Sequence, residues 1–232
     1  MMSSVKEGLE TVKQQILNAC ETCGRDRSSL TLVCVSKTKP SEMIVEAYEA
    51  GERNFGENYV QELVAKEAEL PKDIIWHMIG PLQKNKVKKA VSAASLIHSV
   101  DSIELAQCID KEAAKLSKVQ DILIEINMAN EDTKHGITEE SVISVMQELS
   151  KLEHIRVKGL MCIPPRAEED FNRSYFRKLR EIKDKINDLK IPGISLSELS
   201  MGMTDDFAVA IEEGATFIRI GTAIFGARNY NK

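Results

Sequence analysis

The sequence predicts a single-domain (β/α)8 barrel of the TIM type, with one extra helix ahead of the first strand. Three observations support this. Short β-branched runs alternate with amphipathic stretches along all 232 residues, the pattern of a parallel sheet covered by helices. Eight such runs can be read before the chain ends. Glycine and proline fall between the runs, and nothing reads as a linker, repeat array or low-complexity tail. Residues 1–232 are therefore expected to form one domain, with a doubly wound open sheet as the structural alternative.

Val5, Leu9, Val12, Ile16, Leu17 and Ala19 recur at helical spacing between Ser3 and about Cys23, and Gly24 is the stop. Thr31–Ser36 is the first strand, followed by a helix from Pro40 to Ala50 that ends at Gly51. A short second strand near Arg53-Asn54-Phe55 leads through Gly56-Glu57-Asn58 into a helix reaching about Leu70, closed by Pro71. Ile74–Ile79 is the third strand, Gly80-Pro81 a turn and Gln83–Ala94 a helix. Leu96–Val100 is the fourth, with Asp101 or Ser102 capping a helix to about Leu116. Asp121–Asn127, the fifth, connects through Lys134-His135-Gly136 to a helix over Glu139–Leu152. Ile155–Ile163 is ended by Pro164-Pro165 before a long charged helix from about Glu168 to Leu189. Ile194–Leu199 and Thr204–Glu213 form the seventh unit, and Thr216–Ile220 the eighth strand, before Gly221-Thr222.

Composition narrows the function classes. With 43% hydrophobic and 29% charged residues the chain is an ordinary globular protein, and a net charge of -5 argues against general affinity for nucleic acid or anionic membrane. There is no apolar run of the ~18 residues a membrane span needs, and no signal-peptide core, so a cytoplasmic protein is expected. Five scattered cysteines favour reduced thiols; Cys20-Glu21-Thr22-Cys23 closes a helical pattern with no second pair, and four separated histidines suggest no metal site.

Function is expected at the carboxyl ends of the barrel strands, with phosphate favoured at the loops after strands seven and eight. Ser200-Met201-Gly202-Met203-Thr204 and Gly221-Thr222 place glycines and hydroxyls there, with Thr204 read as a helix cap. Strand alternation puts Phe217, Arg219 and Gly221 on one face, so Arg219 points inward near the top and needs an acceptor: a carboxylate, a ring nitrogen or a phosphate. Barrel closure sets the eighth strand beside the first, bringing Lys37 close to Arg219 and Gly221-Thr222. A lysine is nucleophilic only when unprotonated, which needs its reference pKa of ~10.4 lowered; Lys39 and Arg219 are candidate sources. A phosphorylated aldehyde linked to Lys37 as a Schiff base is the specific hypothesis, pyridoxal 5'-phosphate (PLP) being the best-known such ligand.

Val35-Ser36-Lys37-Thr38-Lys39-Pro40, Asn54-Phe55-Gly56-Glu57-Asn58-Tyr59-Val60-Gln61-Glu62, His77-Met78-Ile79-Gly80-Pro81-Leu82-Gln83-Lys84-Asn85-Lys86, Gly159-Leu160-Met161, Leu199-Ser200-Met201-Gly202-Met203-Thr204-Asp205-Asp206 and Arg219-Ile220-Gly221-Thr222-Ala223-Ile224-Phe225-Gly226 closely resemble the pyridoxal phosphate homeostasis protein family. That resemblance implies a PLP fold type III barrel similar to the amino-terminal domain of alanine racemase, binding PLP without established turnover and buffering or delivering it within vitamin B6 homeostasis. It makes Lys37 the Schiff-base lysine, gives Ser200, Gly221 and Thr222 the phosphate, lets Asn58 and Met161 line the cofactor, and sets Arg219 near the pyridine nitrogen. His77 stands in a matching motif but is assigned no contact. The alternative is a racemase-like PLP enzyme; such enzymes use a tyrosine from a second, β-rich domain, and no such domain is expected after Gly226. PLP-dependent apoenzymes are the expected recipients, and a monomer is expected rather than an oligomer. The Lys84–Lys89 cluster reads as a solvated helix face, with an anion or acidic-partner surface as the other possibility; Arg173, Arg177, Lys178, Arg180, Lys183 and Lys185 read as surface.

Overall fold

The computed structural model describes residues 4–128, 136–165 and 168–227. Helix α1 (Val5–Cys23) opens on a reciprocal capping box: Ser4 Oγ accepts the Glu7 N–H at 3.2 Å, the Glu7 carboxylate accepts the Ser4 N–H at 2.9 Å, and Gly24 ends the helix at φ 69°. After it come β1 (Thr31–Val35), α2 (Ser41–Glu49), β2 (Asn54–Glu57), α3 (Val60–Glu69), β3 (Ile75–Met78), α4 (Val87–Ala93), β4 (Leu96–Val100), α5 (Ile103–Lys115) and β5 (Gln120–Asn127). The two-residue β6 (Ile137–Thr138), α6 (Val142–Leu149), β7 (Ile155–Met161), α7 (Glu169–Asp188), β8 (Glu198–Ser200), α8 (Phe207–Glu212), β9 (Phe217–Ile220) and α9 (Thr222–Phe225) complete the described chain.

All strand pairs are parallel, in the order β4-β3-β2-β1-β9-β8-β7-β5, and β4 pairs with β5, so the sheet closes into the expected barrel; β6 hangs on β5 outside the ring. Period-two alternation divides the apolar residues. Leu32, Cys34, Phe55, Trp76, Ile97, Ile122, Leu160, Leu199 and Ile218 join the core between sheet and helices, while Leu96, Leu123 and Met161 form a smaller cluster, with Phe217 against it, inside the barrel. Helix α1 lies across α2, α8 and α9, and Arg25 ties its end to the carbonyls of Ile211 and Ala215 at 2.7 Å each.

Several sequence expectations need correction. The second strand runs past Phe55 through Gly56-Glu57, because Gly56 pairs with Val35 and His77 on either side. The seventh strand is Glu198–Ser200, later and shorter than 194–199; Ser197 bonds Lys158 and Ile194 closes a turn on Ile191. Lys84–Lys86 forms a 3-10 turn before α4, so the basic cluster straddles two elements. Thr204 does not cap α8; Asp206 takes the cap position and accepts the Met203 N–H at 2.6 Å. Ser102, and not Asp101, caps α5. Arg173, Arg177 and Arg180 lie at the surface as expected, and there they converge on Glu212 and the buried Glu213. The Lys134-His135 part of the fifth connection, and residues 228–232, lie outside the described residues. No described helix is long and apolar enough to cross a membrane.

Candidate functional site

At the carboxyl ends of the strands lies a cavity of about 520 Å³ lined by Val35, Lys37, Pro164, Pro165, Asn172, Met203, Thr204, Asp205, Asp206, Arg219, Gly221 and Thr222. The parallel register sets Val33 beside Arg219 and so brings the first and last strands together under it. Gly202 shapes one wall: its φ is +90°, and a Cβ there would sit 2.5 Å from the Ala210 Cβ, so only glycine lets this loop turn back. Its carbonyl then accepts the Arg219 N–H at 3.0 Å.

Arg219 is buried (5% exposed) and donates to Ser200 Oγ at 2.5 Å and to the Cys162 carbonyl at 3.0 Å. Among the described residues no carboxylate forms an ion pair with it, and burial pushes its pKa down. The Glu125 and Asp206 carboxylates pull the other way from farther off, but the hydrogen bonds of this interior cation go to neutral acceptors, which favours an anionic or strongly accepting ligand at the cavity.

Behind Arg219 runs a chain of buried hydrogen bonds. Ser200 Oγ meets His98 Nδ1 at 2.8 Å, His98 Nε2 meets His77 Nδ1 at 3.0 Å, and His77 Nε2 meets Asn54 Oδ1 at 3.0 Å. The Asn54 oxygen accepts, so His77 carries its proton on Nε2, His98 must donate to it from Nε2, and Ser200 must donate to His98. Each member thus donates in one direction, away from Arg219. The edge of Phe217 packs on both rings, at centroid distances of 5.7 Å and 5.5 Å. Burial lowers the pKa of His77 to about 4 and that of His98 well below 6.5, the latter helped by His77 and Arg219. Both histidines are therefore neutral in the fold. The unfolded chain binds their protons first, so stability is full above pH ~6.5 and falls on acidification by about 1.4 kcal/mol per pH unit for each histidine. Urea midpoints between pH 7 and pH 5, above the main carboxylate range, should show this slope, and His77→Gln should lose part of it.

Lys37 sits on a tight turn. Lys39 N–H donates to the Ser36 carbonyl at 3.0 Å, and Thr38 between them has φ 62°, a left-handed value unusual for a β-branched residue. The Thr38 N–H donates to Glu62 Oε2 at 2.7 Å. Beneath it Lys66 Nζ donates to the Ser36 carbonyl at 2.9 Å, to Glu57 Oε1 at 2.7 Å and to Glu62 Oε2 at 3.0 Å, while Ser36 Oγ donates to Glu57 Oε1 at 2.6 Å. Glu57 is wholly buried, its Oε2 has no hydrogen-bond partner among the described residues, and desolvation outweighs Lys66 to hold the carboxyl above its usual range. Lys39 points to the carbonyls of Phe225, Gly226 and Ala227 at 2.8, 2.9 and 3.0 Å, where a cation suits the end of α9.

Of the residues singled out from sequence, Lys37, Arg219, Gly221 and Thr222 share the cavity. Ser200 is wholly buried behind Arg219, and Met161 belongs to the apolar cluster inside the barrel. Asn58 is half-buried and borders a separate cavity of about 390 Å³ with Tyr59, Val60, Gln61, Pro81, Gln83 and Lys86. His77 joins the relay. Sequence reasoning missed His98, Asn172 and the Glu57–Glu62–Lys66 group. The i,i+4 spacing of Glu62 and Lys66 was a readable signal, whereas Asn172 reaches the cavity only through tertiary packing.

Residues 9–229 match the family model for the alanine racemase N-terminal domain. A pyridoxal phosphate homeostasis protein of Aquifex aeolicus (strain VF5) is 47% identical over 227 residues, covering 97% of this chain and 98% of its own. One from Escherichia coli (strain K12) is 38% identical over 236 residues, covering 100% of both. The structure of PipY of Synechococcus elongatus PCC7942 with PLP bound superposes with a TM-score of 0.85 at 36% identity, covering 96% of this chain and 100% of that one. With sequence, fold and cavity in agreement, the chain belongs to the pyridoxal phosphate homeostasis protein family, within the alanine racemase N-terminal domain fold.

Proposed function

We propose that this chain binds PLP at the barrel mouth, tethers it through Lys37, and holds or delivers the cofactor without turning over a substrate. The observation that carries this reading is the buried Arg219 guanidinium, unpaired with any described carboxylate, on the same cavity wall as Lys37. The names of the relatives and the PLP bound to PipY support it. When bound, PLP supplies an aldehyde that condenses with a primary amine, together with an anionic phosphate and a basic ring nitrogen.

Lys37 is the primary amine on this cavity wall that would hold the aldehyde end of the cofactor. Gly221 and the Thr222 hydroxyl, which line the cavity, would hold the phosphate. Arg219 would lie toward the ring nitrogen, where a fixed cation would disfavour protonation and so weaken the electron sink that PLP enzymes rely on. That choice suits storage. Ser200, placed behind Arg219, acts on the ligand by fixing the guanidinium; Met161 supports the floor and Asn58 borders the mouth from the β2–α3 loop. A cytoplasmic monomer passing PLP to apoenzymes is the cellular reading.

Added PLP should give the purified protein a visible absorption band, and borohydride should then fix the label on the Lys37 peptide. Lys37→Ala should lose both. No solvent deuterium should enter Cα of amino acids over many equivalents; such incorporation, lost with Lys37, would instead establish a racemase-like enzyme. A wild-type protein that forms no band would overturn the assignment.

A further inference from the structure

Lys37 is carried by a backbone conformation that its own sequence does not favour. The positive φ of Thr38 at the third position of the turn belongs to glycine or asparagine, because a branched side chain crowds the backbone there. Something outside the turn must hold it. The Thr38 N–H is received by Glu62 Oε2 at 2.7 Å, a charge-assisted bond that exists only while the peptide between Lys37 and Thr38 keeps its present orientation. Lys66 fixes Glu62 in turn, at 3.0 Å, while also holding the Ser36 carbonyl on the other side of Lys37.

We propose that Glu62 is a positioning residue for Lys37: its carboxylate grips the Thr38 amide and keeps the strained turn that presents the Lys37 amine to the cavity. The proposal rests on the PLP reading above for its consequence, though not for its geometry. Without Glu62, Thr38 relaxes toward negative φ, the 37–38 peptide rotates, and the amine is presented differently. With glycine at 38 the same turn carries no strain and no longer needs Glu62. The coupling is therefore a double-mutant signature that a general loss of packing does not produce.

The test compares wild type, Glu62→Ala, Glu62→Gln, Thr38→Gly and the Glu62→Ala/Thr38→Gly double variant by PLP titration and, without PLP, by the rate at which formaldehyde and cyanoborohydride methylate Lys37, read by peptide mass spectrometry. Glu62→Ala should weaken PLP binding about tenfold, and adding Thr38→Gly should restore it to within about threefold of wild type. Glu62→Gln, whose amide oxygen can still accept the Thr38 N–H, should lie close to wild type. The Lys37 methylation rate should shift in Glu62→Ala and return in the double variant. The proposal is overturned if Glu62→Ala binds PLP and methylates within about twofold of wild type, or if the double variant behaves as Glu62→Ala does. Should wild type take up no PLP, the cofactor reading falls, while the methylation rates still decide the role of Glu62.

Discussion

Gly159→Ala is expected to prevent the barrel from folding. Gly159 lies on β7 opposite Glu198 of β8, where an added Cβ would stand 1.9 Å from the Glu198 carbonyl oxygen and 2.5 Å from its carbonyl carbon. Neither neighbour is the flexible end of a side chain, so the strands themselves would have to part. The position also follows an irregularity in the β5–β7 ladder: Ile122 pairs with Val157 and Leu123 with Gly159, leaving Lys158 as the extra residue. The loss should exceed about 4 kcal/mol, the range reserved for backbone and core disruption. Thermal and urea unfolding of any soluble Gly159→Ala protein would measure it, with Lys158→Ala, expected within about 1 kcal/mol of wild type, as the neighbouring control.

Lys66→Met should be the most damaging change of a charged side chain. Lys66 places its ammonium among the Ser36 carbonyl, Glu57 and Glu62, with only 9% of its side chain exposed. A methionine fills the space but leaves the Glu57 carboxylate buried without its cation, a loss of about 3–5 kcal/mol. The pH response gives the mechanism away. The Glu57 pKa is already raised in the fold, so folding favours its protonated form, and the stability tied to that proton is lost as pH rises through the folded value. Removing Lys66 raises that value further. Lowering the pH should therefore narrow the gap between variant and wild type, and Glu57→Gln in the Lys66→Met background should recover part of the loss at pH 7. Urea titrations of the three proteins at pH 7 and pH 5.5 would show whether it does.

The barrel was legible because strand alternation and helical spacing are local. Leu32 and Cys34 face the helices and Arg219 faces inward, as period two requires. What failed was also local in origin. The second strand reads as ending near Phe55, yet pairing on both sides draws Gly56-Glu57 into β2; Ile194–Leu199 reads as a strand, yet only Glu198–Ser200 finds partners. At the site, closure of the barrel predicted the meeting of Lys37, Arg219, Gly221 and Thr222. It did not predict that Ser200 turns its hydroxyl to His98 and Arg219, since that depends on a histidine far away in sequence. The support beneath Lys37 was hidden for the same reason, as Glu57 and Lys66 reveal their role only when β2 and α3 pack under the first turn.

The pairing of β1 with β9 joins the beginning of the barrel to its end. Contacts of such long range form late, because the chain entropy lost in closing the loop is recovered only once the whole ring is in place. The cavity wall that holds Lys37 and Arg219 together is this seam. The wall is therefore assembled only once β9 has docked on β1, and any ligand held by both residues would stabilise the closed barrel by mass action.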